Sequence, residues 1–200
     1  MLIKNLDESI INDVGHAFGY YDYGDEKGLS LAFGSKEAVA IYISGYVRAV
    51  LTAGFLHATS EKGEGYIAYK LPEQKLGVKA GMQMMKSVFQ SMNFKEMMNF
   101  LKFMSKQETS LRKRMDKEKK PYIYVGLVCV PEKYQGQGFM RKVMEIAFKE
   151  GNRLQIPVIL DTDAKSKCDK YVHLGMELAG TRSMGDYGKI YDLIKYPDKV

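Results

Sequence analysis

Gln135-Gly136-Gln137-Gly138 stands between an apolar run and an amphipathic helical pattern, and these residue types at this spacing suit the binding of an anion. A loop that enters a helix presents backbone N–H groups at the positive end of the helix dipole, where a phosphate or pyrophosphate is stabilised. Gly136 and Gly138 leave room for a close approach, and the two glutamines supply neutral polar walls in place of competing carboxylates. Taken alone, the glycines suit a tight strand-to-helix turn better than an anion site. Two nucleotide-binding readings are excluded: no G-x-x-x-x-G-K-[ST] occurs, and Arg141 stands where the third glycine of G-x-G-x-x-G would fall. The two cysteines, Cys129 and Cys168, and the three histidines, His16, His57 and His173, have no metal-ligand spacing, so no metal is expected.

The elements that must position this loop are legible on either side of it. Ile123, Val125, Leu127, Val128, Cys129 and Val130 read as a strand buried on both faces, which Pro131 ends. Met140, Val143, Met144, Ala147 and Phe148 then recur at helical spacing, with Arg141, Lys142, Glu145, Lys149 and Glu150 on the other face. Gly151-Asn152 gives a stop signal, and a second apolar run over 157–160 makes the order strand, helix, strand, hence a parallel crossover. A helix from about 165, carrying Lys167 and Tyr171, ends at Gly175, and strands near 177–182 and 190–196 close the sheet as a hairpin.

Val128-Cys129-Val130-Pro131 followed by Gln135-Gly136-Gln137-Gly138-Phe139-Met140 resembles the V-x-V-P and Q-x-x-G-x-[G/A] acetyl-CoA motif of the GNAT superfamily of N-acetyltransferases. Met140 departs from the pattern, standing where the family has Gly or Ala. Tyr171 and the run YVHLGM resemble the family's Y-x-x-x-G-F, and the layout is similar to the puromycin N-acetyltransferase-like branch. The resemblance covers 122–197. It implies an α/β fold, a mixed and centrally splayed β-sheet flanked by helices, with a helical insertion before the central strand. It also implies acetyl-CoA as cosubstrate, held by Val128, Cys129, Val130, Gln135, Gly136, Gln137, Gly138, Phe139, Met140 and Arg141. Lys167, where the family often has Asn, would reach a coenzyme A phosphate. Tyr171 aligns with the family's general acid, and the acceptor would be a primary amine of a small molecule or a peptide. Asp161 and His57 are candidates for the base.

The totals fit one soluble domain over 1–200, since 200 residues with 46% hydrophobic and 27% charged side chains can bury a sizeable core. The N-terminus lacks a secretory signal and no stretch is long enough to span a bilayer, so a cytoplasmic protein without a membrane partner is expected, and a homodimer is compatible with such a domain. A net charge of +6 raises nucleic-acid binding. The basic cluster Arg112, Lys113, Arg114, Lys117, Lys119 and Lys120 is interrupted by Asp116 and Glu118 and carries no interleaved aromatics, which favours a solvated helix end.

The first half of the chain reads as a helix over 3–18, an aromatic turn with Tyr20, Tyr21 and Tyr23, a helix capped by Ser35 that runs to about 50, and a β-hairpin containing His57. Two helices broken near Asn93 follow, carrying Met82, Met84, Met85, Met92, Met97, Met98 and Met104. These methionines suit first the filling of an irregular core, and the resemblance, which puts substrate-binding helices in this region, adds a hydrophobic acceptor pocket as the second reading. The rival to an enzyme is a non-catalytic acyl-CoA-binding or regulatory protein, against which the retention of Tyr171 argues.

Overall fold

The computed structural model describes residues 1–26, 28, 33–98 and 109–199. Helix α1 (Glu8–Gly19) begins five residues after its apolar periodicity does, because Asp7 is its extended N-cap and the residues before it run along a strand: Ile3 N donates to Leu56 O at 2.8 Å and Leu2 bridges His57. Helix α2 (Lys36–Thr52) starts where the sequence predicts, with the Ser35 hydroxyl accepting from Ala38 N at 3.0 Å. Strands β1 (Leu56–Ala58) and β2 (Tyr66–Lys70) form the expected hairpin. Helix α3 (Val78–Ser91) ends at Met92, and Asn93 opens a new helical turn by exchanging two 3.0 Å hydrogen bonds with Glu96, a reciprocal cap that explains the break. Of the Met-rich stretch, Met92 is buried, Met82, Met85 and Met98 are exposed, and Met104 lies outside the described residues.

Helix α4 (Leu111–Lys117) leads into the central strand β3 (Ile123–Cys129), followed by α5 (Phe139–Leu154), β4 (Val158–Thr162), α6 (Lys165–His173), β5 (Glu177–Ser183) and β6 (Lys189–Lys195). Gly151 does not stop α5, which runs a further three residues and closes on Gln155 at φ 54°. The glycine has another use: a Cβ there would lie 2.8 Å from Val158 Cγ2 and 3.0 Å from Ile156 O, so its absence lets the helix return tightly to β4.

The six strands form one mixed sheet in the order β1-β2-β3-β4-β6-β5, antiparallel except for β3 and β4. On one face, Val143, Met144, Ala147 and Phe148 of α5 and Cys168 and Tyr171 of α6 pack on Ile67, Ile123, Val125, Val158, Leu160 and Leu193. On the other, α1 and α2 cover the half built from β1, β2 and the end of β3, while Met115 of α4 packs on Ile159 and Ile194 in the other half.

Candidate active site

The loop between β3 and α5 turns on its glycines. Gly136 and Gly138 have φ of +73° and +77°, a region costly for any residue with a Cβ, and Gly138 is the N-cap of α5. A Cβ built on either meets nothing within 4 Å, so both glycines face open space beside the helix N-terminus. Gln135 Nε2 donates to Val130 O at 3.2 Å and Gln137 Nε2 to Lys133 O at 2.9 Å, so the glutamines brace the loop from within. Arg141 and Lys142 on the first turn of α5 and Lys133 in the loop are exposed, which makes the surroundings cationic. Phe139 stacks edge-on against Tyr134 with centroids 5.6 Å apart, and Met140, half-buried, packs into the core under α5. A phosphate-bearing group fits this cradle, because a side chain at either glycine would fill it and no carboxylate braces it.

Strand β3 parts from β4 beside this loop. The parallel register covers Ile123↔Val158 and Tyr124↔Ile159 only, whereas β3 stays paired with β2 as far as Cys129↔Tyr66. From Val125 onward, therefore, the β4 side of β3 lies beyond the parallel register. Gly126 marks the fork. The pairing with β2 jumps from Tyr69↔Val125 to Ala68↔Leu127, which makes Gly126 the extra residue of a β-bulge. Ile123 and Val125 accordingly pack on the α5 face, Leu127 and Cys129 on the α1–α2 face, and Val128 and Val130 return to the α5 face. A Cβ on Gly126 would lie 2.1 Å from the Tyr46 hydroxyl of α2. Burial pushes the Cys129 thiol up to about 12, so it stays protonated and is unsuited to nucleophilic work.

Tyr171 is buried in the wall of this wedge. Its phenol is raised above the ordinary tyrosine value by burial first and then by the nearby Asp163, Cys129 and Tyr21, a set of neighbours that places it among the end of β3, the β4–α6 corner and the chain after α1. Lys167, one helical turn before Tyr171, is engaged at the same corner. Its ammonium is 2.9 Å from Asp163 Oδ1 and lies 4.1, 4.7 and 5.8 Å from the ring centroids of Tyr21, Tyr23 and Phe18. The aromatic turn is tied to the same corner: Tyr21 OH and Ser166 Oγ are 3.0 Å apart, Tyr23 OH donates to Asp163 Oδ2 at 2.6 Å, and Lys165 N donates to Glu26 Oε2 at 2.7 Å. The Tyr-rich turn thus forms part of the wall beside Tyr171.

A cavity of about 130 Å³ opens on the sheet face opposite α5, at the last registered pair of β3 and β4, lined among others by Arg112, Tyr124, Asp161, Arg182 and Asp192. Tyr124 OH donates to Asp161 Oδ1 at 2.9 Å. The Arg182 guanidinium binds both carboxylate oxygens of Asp192 at 2.9–3.2 Å in a buried pair and stands 3.5 Å from Asp161. Of the two candidate bases, Asp161 lies at this fork and His57 does not. His57 is on β1, separated from β3 by β2, stacked on Tyr69 at 4.6 Å with Nδ1 3.1 Å from Phe55 O.

No protein-family model and no curated protein matches the sequence. Solved structures do match. An acetyltransferase from Corynebacterium glutamicum, named as histone acetyltransferase HPA2 and related acetyltransferase, superposes at TM-score 0.61 and 14% identity over 100% of this chain and 96% of its own. A GNAT-family acetyltransferase from Listeria monocytogenes superposes at 0.52 and 12%, over 98% and 94%. The fold is that of the GNAT acetyltransferases. Arylalkylamine N-acetyltransferase 2 from Aedes aegypti is a further match, at TM-score 0.56 and 11% identity, covering 96% of this chain and 97% of that one.

Within this fold, Tyr171, Val128, Val130 and Met140 belong to one apolar cluster beside the glycine loop. Tyr46, Tyr124, Arg112, Arg182 and Asp192 were not singled out for chemistry. Two signals pointed there: a glycine inside an apolar strand, Gly126, which commonly marks a bulge or close approach, and an aspartate in the apolar run of β6. Among the described residues, no group of three or more His, Cys, Asp or Glu side chains could hold a metal ion, and no helix is long and apolar enough to cross a membrane.

Proposed function

We propose that the protein is an acetyl-CoA-dependent N-acetyltransferase that moves an acetyl group directly to a primary amine of a small molecule, in the cytoplasm, with residues 1–200 working as one domain. One observation carries the reading: an open glycine cradle at a helix N-terminus lies beside a parallel strand pair that separates after two registered residues, with a buried tyrosine in the wall. The first-turn N–H groups of α5 and the loop from Gln135 to Gly138 would hold the phosphates, with Arg141 adding charge. The unregistered side of β3 over Val128 to Val130 would align an extended arm as an added strand would; for Val130 O this means displacing the Gln135 amide. Acetyl-CoA supplies the acetyl group in activated form, as a thioester.

The remaining chemistry falls to side chains. Burial keeps the proton on Tyr171 Oη across neutral pH, the form a donor to the departing sulfur needs, while the same shift makes the phenol a weaker acid than an exposed tyrosine. Asp161, at the fork on the opposite face, is placed to take the proton that an ammonium must lose before its lone pair can attack. Lys167, engaged by Asp163 and three rings, stiffens the wall next to Tyr171.

The test is ligand-linked stability. Acetyl-CoA at one hundred times its Kd should stabilise the folded state by about 2.7 kcal/mol and raise Tm by roughly 5–11 °C. An unchanged Tm at millimolar acetyl-CoA, with no heat of binding, sinks the proposal.

A further inference from the structure

The charges around the cavity at the fork do not cancel. Arg182 and Asp192 are 7% and 2% exposed and satisfy each other, and Asp192 Oδ2 also accepts from Leu111 N at 3.1 Å, so this pair is closed to a guest. What remains is one carboxylate and two cations. Asp161, with its side chain 36% exposed, keeps capacity beyond the Tyr124 hydroxyl and the 3.5 Å approach of Arg182. Arg112 and Lys113 stand at the rim, both exposed, and the Arg112 guanidinium lies 4.9 Å from the Tyr124 centroid. Among the described residues neither forms an ion pair with a carboxylate. Three cations thus face two carboxylates, with Leu111, Ile159 and Leu160 between them.

Resting on the acetyltransferase reading, we infer that the acceptor is a small amine that also carries an acid group, such as a short amino acid or aminoalkyl phosphonate. Its ammonium meets Asp161 and its oxyanion meets Arg112 and Lys113. A guanidinium held over a tyrosine ring presents its N–H fork to a planar carboxylate or a phosphonate edge. A polyamine or aminoglycoside brings positive charge to a lining already in cationic excess. Size points the same way, since a cavity of about 130 Å³ falls well below the roughly 300–1,000 Å³ of sites for drug-sized ligands. Met82 and Met85, 62% and 55% exposed on α3, do not line this cavity.

The experiment pairs acids with their neutral counterparts. With acetyl-CoA and read by thiol release, β-alanine, 4-aminobutyrate and 2-aminoethylphosphonate are compared with β-alaninamide, 4-aminobutyramide and propylamine; the same compounds are titrated calorimetrically into the protein alone. The acids should exceed their neutral partners at least about tenfold in kcat/KM and in affinity, the size expected of one charge-assisted pair, and the carboxylate and phosphonate arms identify the oxyacid. Arg112→Gln should raise KM for the acids about tenfold with kcat little changed, a larger loss than for the neutral amines, so that the preference for acids collapses while acetyl-CoA affinity stays intact. The inference is overturned if neutral amines match or exceed the acids, if Arg112→Gln leaves acid KM and affinity unmoved, or if acetyl-CoA binds and no acid is accepted or bound. Should acetyl-CoA fail to bind while acids bind through Arg112, the pocket stands and the transferase reading falls.

Discussion

The two sides of the fork between β3 and β4 are built from different materials. On the α5 side the working groups are backbone: glycines at positive φ, a helix N-terminus and a strand released from its neighbour. On the opposite side they are side chains drawn from α2, α4, β3, β4, β5 and β6: Tyr46, Arg112, Tyr124, Asp161, Arg182 and Asp192. A backbone cradle depends on conformation and takes a generic anion, so it can be damaged without unfolding the protein. The side-chain pocket depends on a buried ion pair that is part of the core, so its selectivity and the stability of the molecule are entangled.

That contrast is most exposed to Asp192→Leu. Removing the aspartate leaves Arg182 buried without a counter-charge, and unfolding free energy should drop by about 3–5 kcal/mol in urea titrations. Adding Arg182→Met should restore much of it; a single mutant as stable as the wild type breaks the claim of entanglement. Gly138→Val probes the other side. Its positive φ costs a branched residue about 1–2 kcal/mol, yet the larger effect should be on acetyl-CoA, with affinity reduced by roughly 10²-fold or more, about 2.7 kcal/mol, because the side chain fills the space beside the helix N-terminus. Unchanged affinity in a folded variant rules out the cradle.

Tyr171→Phe tests the side chain that stands on the α5 side with the cradle. It keeps the ring in the core and removes the hydroxyl, so kcat should fall roughly 10²-fold, the usual size for a positioned acid, with acetyl-CoA affinity preserved. Wild-type turnover would hand the proton to water. The smallest effect belongs to His57, away from the fork. Burial lowers its pKa, with the Phe55 carbonyl opposing, so neutral His57 favours the folded state; this contribution is complete above the ordinary value of about 6.5 and is lost as pH falls toward the lowered one. The stability gap between wild type and His57→Ala should therefore narrow from pH 7.5 to pH 5.5, with no change in rate. A widening gap reverses the assignment.

The same contrast explains what could be read from the chain. The cradle is contiguous in sequence, and its strand, glycines and helix are set by local periodicity and φ, so β3, the loop and α5 were legible. Val128, Val130 and Tyr171 share one apolar cluster on the α5 face, beside the loop of Gly136 and Gly138. The pocket is assembled from segments 46 to 192 by tertiary pairing, and no local pattern announces that Asp192 will meet Arg182 or that Tyr124 will meet Asp161. Glycine itself was ambiguous. Gly151 reads as a stop signal but serves close packing on β4, and Gly126 reads as a gap in an apolar run but creates the bulge. At Lys167, position in the helix was legible and direction was not, because its partners Tyr21 and Tyr23 are more than 140 residues away in the chain.

The two registered pairs joining β3 to β4 also bear on how the molecule comes apart. The sheet consists of two three-stranded panels, β1-β2-β3 and β4-β6-β5, sharing that short seam and the apolar stripe of α5 laid under both. Such a seam is a natural boundary between cooperative units, so amides along β3 and β4 should exchange through an opening of lower free energy than those of β2 or β6. A guest hydrogen-bonded across the gap would act as a seventh, non-covalent strand, slowing that class of amides and merging two melting units into one.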